Sequence, residues 1–320
     1  MKVLTLTDDE QIAIESLIEP LIKASLTQDD FLRFARVIAD ELPRRIREEF
    51  YSFKLNESAS GIEVHGFKIN ETLIGPTPIE YSPPGNHLLK REDIVHILLG
   101  SLLGEPHGFI GQQNGLILND IIPIARNENL KISSGSTQYL GLHTEDAFCP
   151  YAAEYIGWLC FRNPSKVPTT TSYVGDIVFP EDIKEILFQE RFILLPNLSH
   201  GEEAQRKFRE IQRRTAILFG HPDKPYIRMN TILFNLEDYS GIERHAAEFL
   251  LGALWANTID NQLEQGTFLF LDNLRTLHGR PPFKATYDGK SRWLRRIVLA
   301  NDLRRSRALR TSPESRVLNY

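Results

Sequence analysis

The sequence predicts a mainly β fold with flanking helices, on three observations. Short apolar runs separated by turn residues crowd the stretch after Gly108, helical spacing dominates before it, and composition is that of a compact globular chain. Of 320 residues, 42% are hydrophobic and 25% charged, which excludes disordered, collagenous and coiled-coil classes. Lys and Arg total 37 against 42 Asp and Glu, a net charge of −5, so no basic footprint for nucleic acid is expected. The two cysteines, Cys149 and Cys160, are too few for a disulfide framework. With no apolar run of signal-peptide or membrane-spanning length, a cytoplasmic setting and no membrane partner are expected.

Thr7 and Glu10 have capping-box spacing, and Ile12, Ile14, Leu17, Ile18, Leu21 and Ile22 continue with helical period to about Ala24. A second helix follows Thr27, with Phe31, Phe34, Ala35, Val37 and Ile38 as its buried stripe and Leu42-Pro43 near its end. Ile62 to Phe67 alternates as a strand. Lys90 to Leu103 is helical again, with Gly104 placed as a C′ glycine. Strand-like runs then cover 116–123, 138–142, 155–161, 169–174, 191–195, 267–271 and 293–300, pointing to a sandwich or barrel. Helices over 180–190 and from Ser240, capped through Glu243, interrupt them. No repeat or linker divides the chain. A single domain is expected, with a mainly helical part over 1–107, a β core over 108–301 and a basic, solvated tail over 302–320.

Three histidines are followed two residues later by an acid: His143-Thr144-Glu145, His200-Gly201-Glu202 and His221-Pro222-Asp223. On a strand, residues i and i+2 project from one face, so an imidazole and a carboxylate can converge on one metal ion. The pair is common by chance and gains meaning only with a third ligand to complete a facial triad. His278 is the best candidate, standing in a polar stretch after the strand-like Thr267 to Leu271. Beyond it, Arg292 and Arg296 fall on one face of a strand, with Leu294 between them and Arg295 opposite. Buried guanidinium groups need an anion, so this face implies a bound carboxylate or an internal acid.

HTEDAF at 143–148, LDNLRTLHGR at 271–280 and Arg292, fourteen residues past His278 (292 − 278), together resemble the Fe(II)/2-oxoglutarate oxygenases of the TauD type. The likeness is closer to the clavaminate synthase branch, which includes amino-acid hydroxylases, and spans roughly 108–301. The resemblance implies a double-stranded β-helix, or jelly roll, with a lid inserted over about 197–262. It implies iron held by His143, Glu145 and His278, with 2-oxoglutarate and O2 as cosubstrates. Arg292 would clamp the distal carboxylate of 2-oxoglutarate, Arg296 would lie near its other end or the substrate carboxylate, and Thr170, with Thr171 close behind, would assist. Gln112 or Gln113 and Ser133 or Ser134 match positions that engage the substrate's amino and carboxylate groups, and Asn230 falls in the substrate segment.

Two departures from the branch stand out. Residues 228–232 carry no acid where members that take basic amino acids place one, which favours a neutral side chain; Glu237 and Asp238 lie further on. Cys149 stands where several relatives carry histidine, which implies an altered pocket. The resemblance therefore implies hydroxylation of an unactivated C–H bond in an amino acid or derivative, in specialised metabolism such as antibiotic biosynthesis. A cyclic dipeptide or carrier-tethered substrate, desaturation or cyclisation, and a non-catalytic metal-binding sensor remain open alternatives.

Overall fold

The computed structural model describes residues 1–320 apart from Pro84, Asn86, Gln212 and Tyr320. Two sheets carry the site. The larger has eight strands, running in space Lys2–Thr5, Gly61–His65, Phe268–Asp272, Tyr155–Arg162, Trp293–Ala300, Glu105–Phe109 and Val317–Leu318, with Asn119–Ile121 also paired to Trp293–Ala300. The smaller has four, in the order Thr258–Asn261, Thr169–Tyr173, Thr276–Arg280 and Leu140–His143, all antiparallel. Neighbours in space are mostly distant in sequence, so the sheets are assembled by long connections.

Period-two alternation in the central strands separates two apolar layers. Tyr155, Leu159, Phe161, Phe268, Phe270, Ile297 and Leu299 face the helices Asp8–Lys23, Arg44–Leu55 and Arg91–Ser101 and share their core. Ile156, Trp158, Cys160, Leu269, Leu271, Leu294 and Val298 face the other way. Behind the smaller sheet, Leu142 and Leu277 pack with Ala246, Leu250 and Leu254 of the helix Gly241–Ala256. Gly157 is required where the layers meet: a Cβ there would lie 2.5 Å from the Phe270 ring.

The Thr7 capping box forms and starts the first helix. The helix expected after Thr27 is instead two short ones, Gln28–Leu32 and Ala35–Ala39, broken where Phe34 leaves helical geometry, and Val37 is exposed. Pro43 begins the helix Arg44–Leu55 rather than ending one. Gly104 has no left-handed backbone; a Cβ there would meet the Ala300 carbonyl oxygen at 2.7 Å, so close packing demands it. Ser240 makes no capping hydrogen bond, and Glu243 instead pairs with Arg191. The run over 116–123 contributes only Asn119–Ile121. Residues 302–319 fold back: Arg310 is buried and donates to the carbonyls of Leu303, Pro313 and Ser315, and Val317–Leu318 joins the larger sheet. Among the described residues no helix is long and apolar enough to cross a membrane.

Candidate metal centre

His143 ends the strand Leu140–His143 and stands directly opposite His278 on Thr276–Arg280, with ring centroids 4.3 Å apart. His278 thus lies on a strand of its own, not in the loop the sequence suggested. Glu145 lies just past the strand end, before Asp146, whose backbone turns left-handed at φ 53°. Asn273 holds it there: its Oδ1 accepts from the Glu145 N–H at 2.7 Å, and its Nδ2 donates to the carbonyls of Glu145 and Ala153 at 3.2 and 2.8 Å. One donor atom from each of His143, Glu145 and His278 lies within 4.8 Å of the others, and all three residues are buried.

The donor atoms suit a cation. His143 Nδ1 lies 2.8 Å from the Gly141 carbonyl, which can only accept, so that nitrogen carries a proton and Nε2 is the ring atom left to bind a metal. Burial first, then His143, keeps His278 well below the usual imidazole range and neutral. Burial opposes charge on Glu145, but the Arg296 guanidinium beside it outweighs this and holds the carboxyl at about 2. Two imidazoles and a carboxylate fit a divalent ion of the iron type and leave further positions on it open.

Arginines face this triad across the gap between the sheets. Arg296 donates from Nη1 to Glu145 Oε1 at 2.7 Å and from Nη2 to Gln112 Oε1 at 2.7 Å and to Asn119. Arg292 is buried with one partner, Thr169 Oγ1, at 3.3 Å; its Nε has none among the described residues, and burial lowers it to about 10. Arg295 points to the opposite side, onto Asp93 and Asp120 at 2.7 and 2.8 Å. The alternation along this strand is the one its sequence predicts.

The remaining candidates divide. Ser133 lines the cavity with the triad, Arg292 and Arg296. Ser134 is buried and accepts from Asn127 Nδ2. Gln112 reaches Arg296 and His200, whereas Gln113 is closed on the Asp120 backbone. Thr170 faces away from the cavity and donates to Asp260 Oδ1 at 2.6 Å; Thr169 takes the lining position, and Thr171 accepts from Asn261. Asn230 bridges the backbone beside His143 and donates to Asn197 Oδ1 at 2.6 Å. Glu237 and Asp238 are exposed and outside the cavity lining. Cys149 lies among Phe109 and Leu318, also outside that lining, and borders a second cavity that likewise touches Glu145.

Of the other His-x-acid pairs, His221 is exposed beside the hairpin turn of Leu218–His221 and Lys224–Ile227, and His200 is buried with Nε2 2.6 Å from Asp146 Oδ1. Sequence reading passed over Asn273, Asn119, Asn197, Trp158 and Arg280. Arg280 was within reach, because it stands two residues past His278 on a strand and so on the same face.

Fold and site together define a chain with one candidate metal position of the mononuclear non-haem type, walled by buried arginines. The chain belongs to the taurine catabolism dioxygenase TauD, TfdA family, whose model matches residues 98–298. It is 35% identical to enduracididine beta-hydroxylase of Streptomyces hygroscopicus, over 99% of this chain and 100% of the relative. It is 30% identical to L-ornithine/L-arginine 3-hydroxylase of Catenulispora acidiphila, over 98% and 99%. Among solved structures, the non-heme iron oxygenase OrfP with Fe, succinate and (3S)-hydroxy-L-Arg superposes with a TM-score of 0.92 at 31% identity, over 99% of this chain and 100% of OrfP. OrfP with Fe and alpha-ketoglutaric acid superposes with a TM-score of 0.88 at 32% identity, over 99% of each chain.

Proposed function

We propose that this chain is an Fe(II)/2-oxoglutarate-dependent dioxygenase that hydroxylates an unactivated C–H bond of an amino acid or amino-acid-derived small molecule. The carrying observation is the convergence of His143, Glu145 and His278 within 4.8 Å, beside a buried Arg292 that has no acidic partner among the described residues. The names of the relatives, hydroxylases of amino acids, support the substrate class. The two facing, mainly antiparallel sheets support a jelly-roll reading of the fold, and two buried cysteines, neither in a disulfide, accord with a cytoplasmic setting.

In this reading His143, Glu145 and His278 hold the iron, which when bound couples oxidation of 2-oxoglutarate to succinate and CO2 with oxygen insertion into the substrate. The protein's own work is placement. Arg292 presents a two-pronged donor to the distal carboxylate, and Thr169, rather than Thr170, stands beside it. Arg296 orients Glu145 and can reach a second carboxylate. Gln112 steadies Arg296, Ser133 offers a hydroxyl to the substrate, and Trp158 packs against His278 with ring centroids 4.8 Å apart, excluding water.

Succinate formation from 2-oxoglutarate, dependent on iron, oxygen and an amino acid, tests the reading. His143→Ala is expected to abolish it together with iron binding. Arg292→Ala is expected to raise the KM for 2-oxoglutarate by about 10- to 100-fold, the loss of one charge-assisted contact of about 1.5 to 3 kcal/mol, with the circular dichroism of the wild type. Unchanged kinetics in both variants would refute the assignment.

A further inference from the structure

Resting on the oxygenase reading, we propose that the cavity accepts substrates whose side chain carries no positive charge. The relatives set the contrast: ornithine and arginine, which appear in the name of one and as hydroxy-L-Arg bound to OrfP, have cationic side chains. A cation entering a buried site needs a carboxylate there, because desolvation without a counter-charge is strongly unfavourable.

This cavity offers none to spare. Besides the imidazoles of His143 and His278, its ionisable lining residues are Lys131, Glu145, Arg280, Arg292 and Arg296, and Glu145, the single carboxylate among them, is engaged by Arg296 and turned to the metal position. Carboxylates just outside the lining are also engaged: Asp146 through Oδ1 with His200, its Oδ2 being buried without a partner among the described residues, Asp120 with Trp293 and Arg295, Asp260 with Thr170. A dianionic cosubstrate neutralises Arg292 but leaves Arg280, whose partners are the carbonyls of Gly135, Ser136 and Pro281 and no acid.

The segment beside His143 supplies no acid either. The Asn230 carboxamide is closed on Asn197 and on the Ile232 N–H, and Ile232 lines the cavity with Ile132 and Leu140. The rest of the lining near the arginines is therefore apolar or uncharged, suited to an aliphatic, carboxamide or ureido side chain.

Isosteric pairs isolate the charge: citrulline against arginine, norleucine against ornithine, 2-aminoheptanoate against lysine. Binding is measured by calorimetry on the full chain with Fe(II) and 2-oxoglutarate under exclusion of oxygen, and coupled succinate is measured in air. The neutral member should bind at least about tenfold more tightly in each pair that binds and should stimulate succinate formation. Ile232→Glu should move the arginine-to-citrulline preference at least about tenfold toward arginine, whereas Ile232→Gln should keep the wild-type ratio. Equal or tighter binding of the cationic members, or no shift in a folded Ile232→Glu variant, overturns the inference. Efficient succinate formation with arginine overturns it while the oxygenase reading stands, and absence of turnover and binding with every pair fells both.

Discussion

At the scale of single residues, the adjacent threonines 169 and 170 show how much hangs on which face of a strand a side chain occupies. Thr169 sits 3.3 Å from Arg292, while Thr170 points to the outer side and onto Asp260. Thr169→Val is expected to raise the KM for 2-oxoglutarate severalfold. Thr170→Val should leave it within about twofold and cost about 1 kcal/mol of stability through the lost hydrogen bond. Steady-state kinetics and urea denaturation of the two variants check this, and the opposite pattern would restore Thr170 to the site. The sequence could not separate them: a run of three threonines has no polarity contrast, and a slip of one residue exchanges the two faces. His143, Glu145 and Arg292 were legible because spacing along the chain carries their message.

At the scale of elements, the metal position depends on how a turn is fastened to its neighbours. Asn273, in the turn that joins Phe268–Asp272 to Thr276–Arg280, clasps the Glu145 backbone from both sides and the Ala153 carbonyl besides. Asn273→Ala would strand three buried polar groups, at about 1 to 3 kcal/mol for each left unmet by water. We expect a lower midpoint of thermal unfolding and, in protein that remains folded, weaker iron binding by direct titration; unchanged metal affinity would show that the clasp stabilises the fold without ordering the ligand. Nothing in the spacing of Asn273 marks this part, since a turn asparagine ordinarily serves its own turn. Gly104 and Ser240 teach the same point from the other side: local cap signals were present, and tertiary contacts used the residues differently.

At the scale of the whole molecule, layering follows from alternation along the central strands and was largely legible; the strand Lys2–Thr5 was not, because half of its short span faces solvent and it pairs with a partner far along the chain. One buried acid gives the fold a pH signature. Burial pushes the Asp272 carboxyl up to about 7, against the Leu274 N–H and Arg275, which lower it. Between about pH 4 and 7 the folded state therefore holds this proton more tightly than the unfolded one, and stability falls as pH rises through that window. Asp272→Asn, measured by denaturation at several pH values, should flatten the slope; an unaltered slope would assign it to other groups.

The strand Trp293–Ala300 lies between Tyr155–Arg162 and Glu105–Phe109 at the middle of the larger sheet. On the ribosome, then, the earlier strands emerge with their oily surfaces bare and wait for nearly the whole chain before the central piece arrives to join them. Yield in a foreign host should accordingly respond to translation speed and chaperone supply more than to any change at the periphery of the sheet.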